Sequence, residues 1–143
     1  LGPNAIASHL NYQVQDPDGL QFAVLSSAML LTWQKTIGGR LESRIRFAVR
    51  TVWNNFPLPR LSSEQREGLI AAGKAVLAAR AQHPERSLAQ HYSANAMAPE
   101  LTAAHHELDR QVDALFGVAA NPSEGERQQA LFDTYLSLVP PKL

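Results

Sequence analysis

A glutamate and an arginine two residues apart, followed by further arginines in step, give this chain its most specific chemical pattern. From Arg44 onward the residues alternate: Ile45, Phe47, Val49, Thr51 and Trp53 fall on one face of an extended chain, and Arg44, Arg46 and Arg50 fall on the other. A period of two predicts a strand with one buried side. Carrying the same parity backwards adds Glu42, so the polar face is a short basic ribbon with a single acid. An arginine at a base edge can donate two hydrogen bonds to guanine O6 and N7, a glutamate can accept from cytosine N4, and further arginines neutralise phosphates. Glu42 and Arg44 together have the chemistry to read both halves of one C·G pair. The same spacing also describes a solvated strand face with an internal ion pair.

Other reactive groups form weaker patterns. His105 and Asp109 are four residues apart on a predicted helix, beside His106, a spacing that offers two metal ligands on one face. Two ligands do not make a site, and His9, His83 and His91 show no convergent spacing, so a helix-surface hydrogen bond or a cap to a neighbouring loop is the expected use. Gly38-Gly39-Arg40 is too short for a phosphate loop. The sequence holds no Gly-x-Gly-x-x-Gly, Walker, Gly-x-Ser-x-Gly or HExxH motif.

The elements that position these residues follow from the rest of the pattern. At 143 residues and 45% hydrophobic, the chain is about one domain long and large enough to bury a core. It has no cysteine, which excludes disulfides, thiolate zinc sites and cysteine nucleophiles. No apolar run approaches the ~18 residues of a membrane span and no leader pattern is visible, so the expected setting is cytoplasmic. Net charge is zero but unevenly spread: Trp33 to Arg60 carries six basic residues against Glu42, whereas Leu61 to Leu143 carries seven basic and ten acidic. Any partner-facing charge therefore lies before the prolines.

Asp16-Pro17-Asp18-Gly19 predicts a turn, and Phe22, Leu25, Met29 and Trp33, with Ala28, predict one helix over 21–37 that Gly38-Gly39 stops, with Ser26 and Ser27 placed to cap, bend or make a contact. After the basic strand, Asn54-Asn55-Phe56-Pro57-Leu58-Pro59 predicts a turn and a stiff exit. Four helices should follow. The first, over 62–80, is opened by Ser62 with Gln65; a short one lies around 85–92. A third runs from Pro99 to Gly117, and a fourth is opened by Ser123 with Glu126 and ended by Pro140-Pro141.

Two blocks in this order resemble a known family. The first is Leu25-Ser26-Ser27-Ala28-Met29, Trp33, Gly39-Arg40-Leu41-Glu42-Ser43-Arg44 and Asn54-Asn55-Phe56-Pro57. The second is Met97-Ala98-Pro99-Glu100-Leu101, Ala104-His105, Leu108-Asp109, Val112-Asp113, Phe116-Gly117, Leu131-Phe132 and Tyr135. Together they resemble the carboxy-terminal part of the large adenine-specific DNA methyltransferases and MmeI-like (type IIL) restriction-modification enzymes. The resemblance implies the end of a target recognition domain over 1–59 and a C-terminal helical domain over 60–143. It also implies an upstream methyltransferase domain that uses S-adenosylmethionine on a flipped adenine, with no cofactor in this stretch, since no Asn-Pro-Pro-Tyr type motif is present. In that family the positions flanking the serine after Gly-Arg-Leu vary with the base pair recognised, and here they are Glu42 and Arg44. Two departures stand out: Leu30 replaces a frequent histidine, and Ile45-Arg46-Phe47-Ala48 stands where Tyr-Arg-Tyr-Ser is common, removing hydroxyls that could meet phosphate.

The expectation is thus an α+β, predominantly helical chain, a helix and strand followed by a bundle of about four helices. Its partners would be double-stranded DNA and an upstream methyltransferase domain of the same polypeptide, with no membrane. Glu42 and Arg44 would read bases, and Lys35, Arg40, Ser43, Arg46 and Arg50 would hold the DNA backbone. Whether such a stretch is itself an enzyme is left open by its lack of catalytic motifs. The rival expectation is a non-catalytic helical interaction module whose basic face meets an acidic protein.

Overall fold

The first helix starts on a carboxylate. Asp16 accepts the N–H groups of Gly19 (3.1 Å), Gln21 (3.0 Å) and Phe22 (2.9 Å), satisfying donors that a helix start leaves unpaired. Gly19, at φ 97°, supplies the left-handed residue that this turn needs. Helix α1 (Leu20–Leu25) then ends after six residues, and α2 (Ala28–Ile37) begins. The single helix expected over 21–37 is therefore split. The cause is Ser27, in extended conformation, whose hydroxyl donates to the Val24 carbonyl (2.8 Å) and accepts from Leu30 N–H (3.3 Å). The break turns Leu25 partly outward while Met29 and Trp33 stay buried.

The computed structural model describes residues 13–41, 44–45, 47–93 and 96–138, and of 40, 41, 44 and 45 the backbone alone. After α2 come two two-residue strands, β1 (Arg40–Leu41) and β2 (Arg44–Ile45), paired antiparallel with Arg40 opposite Ile45 and Leu41 opposite Arg44. The long strand expected from Arg44 to Trp53 does not form. Instead the chain coils: Val52 N–H bonds to Ala48 O (2.8 Å), Asn54 N–H to Val49 O (2.9 Å), and Trp53–Asn55 is a 3-10 turn. Val52, which the alternation placed on the polar side, is fully buried, while Phe47 and Thr51 are exposed. The Asn55 carboxamide stabilises this turn by donating to the carbonyls of Arg50 (2.8 Å) and Thr51 (3.2 Å). The chain is predominantly helical, and the expected helix-strand end is replaced by a helix, a minimal hairpin and a turn.

The later helices follow their start signals. Helix α3 (Ser63–Ala81) opens on the reciprocal Ser62–Gln65 capping box, and α4 (Leu88–His91) on a second such box, Ser87 with Gln90. Helix α5 (Pro99–Leu115) has proline in its first turn and ends before Gly117, at φ 69°. Helix α6 (Glu124–Leu138) opens on Ser123, whose N–H donates to the Glu126 carboxylate at 2.7 Å. Among the described residues no helix is long and apolar enough to cross a membrane.

One core joins these parts. Met29, Trp33 and Val52 belong to the same buried cluster as Leu69, Val76, Leu101, Leu108, Val112 and Leu131. Helix α3 packs against both α1 and α5. It packs tightly on α1 at Gly73, where an added Cβ would lie 2.9 Å from Ala23 Cβ and 3.3 Å from Ala23 Cα. Alanine normally improves a helix over glycine by about 1 kcal/mol. Here the overlap wins, and Gly73→Ala should destabilise the chain by about 1–3 kcal/mol in denaturant titration. A more stable variant would show that α1 and α3 are not packed this closely.

Candidate nucleic-acid interface

The described candidate residues lie on α2 or follow it in sequence. Gly38 lets the chain leave that helix, because a Cβ there would run into the carbonyl and carboxamide of Gln34. Its N–H closes the last turn on Gln34 O (2.9 Å). The hairpin register then pairs Leu41 with Arg44, so residues 42 and 43 are the two that connect the strands. Glu42, Ser43 and Arg46 lie outside the described residues. Arg40 and Arg44 sit on opposite strands of the hairpin, one register step apart.

The remaining two candidates diverge. Arg50 is exposed in the turn after the hairpin, where its carbonyl is held by Asn55. It does not share an extended face with Arg44, since the strand that would have aligned them is absent. Lys35, on α2, pairs with Glu124 of α6 at 2.5 Å, across 89 residues. Its ammonium thus has an ion-pair partner at the protein surface.

Behind the hairpin lies a buried scaffold. The Trp33 indole N–H donates to the Val52 carbonyl at 3.1 Å. The Trp33 ring meets Phe132 edge-on, with centroids 6.1 Å apart, and Tyr135 at 5.7 Å, both from α6. Helix α6 is itself fastened to α5 by a two-pronged ion pair: Arg127 Nε and Nη2 reach the two Asp113 oxygens at 2.8 and 2.7 Å. The Asp113 side chain is 2% exposed and Arg127 is 16% exposed. This partnership, first through its hydrogen bonds, holds the Arg127 guanidinium more firmly protonated than usual.

His105 and Asp109 are used structurally. Asp109 accepts Ala28 N–H at 2.7 Å, so α5 supplies the acid at the N-terminus of α2. Burial pushes its carboxyl up from the ordinary value, against the pull of that amide. His105 Nε2 lies 2.7 Å from the Tyr92 hydroxyl, to which Arg80 Nε donates at 2.8 Å. Burial pushes the His105 ring down, opposed by Asp109. His83 meets Glu100 at 2.9 Å instead. Among the described residues no three His, Asp or Glu side chains converge as a metal site would require.

Sequence reasoning expected a hydrogen-bonding or capping use for the group that includes Asp109 without naming its partner, and it missed Asp113 as a structural acid and the Trp33–Val52 bond. A signal for the acids existed: each follows directly on a buried stripe residue, Leu108 or Val112, and so flanks the inward face. The indole bond had none, because its acceptor is a backbone carbonyl 19 residues away.

Three comparisons bear on what this scaffold belongs to. Residues 1–60 match the family described as the MmeI target recognition domain, and residues 61–142 match the MmeI C-terminal domain. The chain is 31% identical over 134 residues to DNA methyltransferase A of Bacillus subtilis (strain 168), covering 94% of this chain and 15% of that protein. Among solved structures it is similar to the type IIL restriction-modification enzyme MmeI in complex with DNA. That match has a TM-score of 0.82 and 37% identity, and it covers 87% of this chain and 17% of the other. The chain thus spans about one sixth of the length of these relatives.

Proposed function

The chain belongs to the MmeI family, and from that premise we propose that it recognises a specific sequence in duplex DNA on behalf of an adenine-N6 methyltransferase. In this reading residues 1–59 end the target recognition domain and residues 60–143 form the helical domain that braces it. The methyltransferase domain lies upstream in the same polypeptide, works in the cytoplasm where its DNA is, and is fused to a nuclease in some arrangements of the family.

The observation that carries the reading is the hairpin register. Leu41 pairs with Arg44, so Arg44 opens the second strand of a two-stranded ribbon, and Glu42 follows the first strand directly in sequence. A two-stranded ribbon is narrow enough to enter the major groove, where Arg44 would donate to guanine O6 and N7 while Glu42 accepts from cytosine N4. Arg40, Ser43, Arg46 and Arg50 would contact the backbone. Lys35 would do so by exchanging Glu124 for a phosphate, a contact that competes with an existing ion pair. The excess of six basic residues over one acid between Trp33 and Arg60 supports a polyanionic partner.

The methyl donor is placed outside this stretch, which holds no Asn-Pro-Pro-Tyr type motif. Asp109 borders a cavity of about 420 Å³ between the α1–α2 junction and α5 and gives Oδ1 to Ala28 N–H, and both oxygens of Asp113 are held by Arg127. S-adenosylmethionine is therefore assigned to the upstream domain, and no chemical step is assigned to this chain.

The test compares affinities of the full-length protein for its methylated site and for duplexes altered at one pair, over a range of salt. The preferred site should bind more tightly by about 1–3 kcal/mol per altered pair. Arg50→Gln should weaken all duplexes alike and lower the salt slope by about one. Salt-dependent binding with no sequence preference would remove the recognition role and favour a merely basic interaction surface.

A further inference from the structure

Trp33 closes the base of the recognition loop. Its ring is 2% exposed, and its one donor is spent on the carbonyl of Val52, which is fully buried. These residues bracket the hairpin in sequence: the chain leaves α2 at Ile37, forms β1 and β2, and comes back to the core at Val52. The indole N–H is thus a cross-link between the helix that launches the hairpin and the turn that receives it. Trp33 is in turn held by Phe132 and Tyr135, while Lys35, two residues on, pairs with Glu124 at the start of the same helix α6.

We infer that Trp33 is a positioning residue for base recognition, through which α6 sets the placement of Glu42 and Arg44 without touching DNA. The inference rests on the base-reading role proposed above and adds what enforces it. Base discrimination depends on hydrogen-bond geometry that tolerates errors of only about 0.5 Å, so a hairpin free to shift loses specificity before it loses charge attraction. The phosphate contacts tolerate such shifts because they act over a longer range. A residue that fixes the loop base therefore controls specificity more than affinity.

The test uses Trp33→Phe in the full-length protein, which keeps an aromatic ring between α6 and the core but removes the N–H. Hydrogen exchange at the amides of Arg40, Leu41, Arg44 and Ile45 should become about tenfold faster, the scale of one lost buried hydrogen bond. Discrimination at the pair read by Glu42 and Arg44 should fall about tenfold, with affinity for non-cognate DNA and its salt slope unchanged. Phe132→Leu, at a partly exposed ring, should move the same readouts from the α6 side. Val76→Ala, in the α3 core, should lower stability and leave discrimination intact. Unchanged hairpin exchange in Trp33→Phe overturns the cross-link. Faster exchange with intact discrimination, or an equal loss in Val76→Ala, overturns the positioning role. If Glu42→Lys with Arg44→Asp leaves site preference untouched, the base-reading role fails and the positioning role falls with it, whatever the exchange rates show.

Discussion

Replacing Glu42 with Lys and Arg44 with Asp together should turn the preferred pair at one position of the site from C·G to G·C. The reversal follows from donor and acceptor complementarity: lysine donates to guanine O6 and N7, and aspartate accepts from cytosine N4, so each partner changes strand. Two contacts are exchanged, each worth about 1–3 kcal/mol of discrimination. The ratio of kcat/KM on duplexes differing only at that pair should therefore swing by two orders of magnitude or more. Either substitution alone should do worse than both. Glu42→Lys by itself places two cations where one base offers only a donor, and Arg44→Asp by itself leaves guanine unread between two acids. An inverted preference only in the double variant would show that the two positions act as one reader.

Asp113→Ala should destabilise the chain by about 3–5 kcal/mol, because it leaves the Arg127 guanidinium in a mostly buried position without its carboxylate. That is a large fraction of the roughly 5–15 kcal/mol by which a domain of this size is stable. The damage should spread along α6, since the helix that loses its anchor also carries Phe132, Tyr135 and Glu124. Removing both charges is a different experiment. Asp113→Leu with Arg127→Met fills the space without leaving a charge unpaired, and should come within about 1 kcal/mol of the parent. Denaturant midpoints of the single and double variants measure this directly. A single variant as stable as the parent would mean that the ion pair is a surface contact.

How much of this was legible in the sequence varies along the chain. Helices α3, α5 and α6 announced themselves through local chemistry: the Ser62–Gln65 and Ser123–Glu126 caps and the proline at 99 each act within three residues. The α1–α2 break was only half legible, because Ser26-Ser27 is tolerable inside a helix until the Ser27 hydroxyl takes up Val24 O and Leu30 N–H. The strand over 44–53 was misread for a tertiary reason. Its alternation of β-branched and aromatic residues is real, but Val52 is drawn into the core by Trp33, and the intervening residues coil to let it arrive. At the candidate site, Glu42 and Arg44 are singled out by residue chemistry and by resemblance. The partners of Lys35 and Asp109 were not legible, because Glu124 and Ala28 lie 89 and 81 residues from them. Groups that touch across such separations leave no spacing to read.

Whether Glu42 and Arg44 read one base pair is decided by mapping methylated adenines genome-wide. The map would be made in cells expressing the full-length protein or its Glu42→Lys, Arg44→Asp variant. The account predicts two motifs identical at every position but one, where C·G in the parent becomes G·C in the variant. An active variant that methylates the parent's motif unchanged would contradict it.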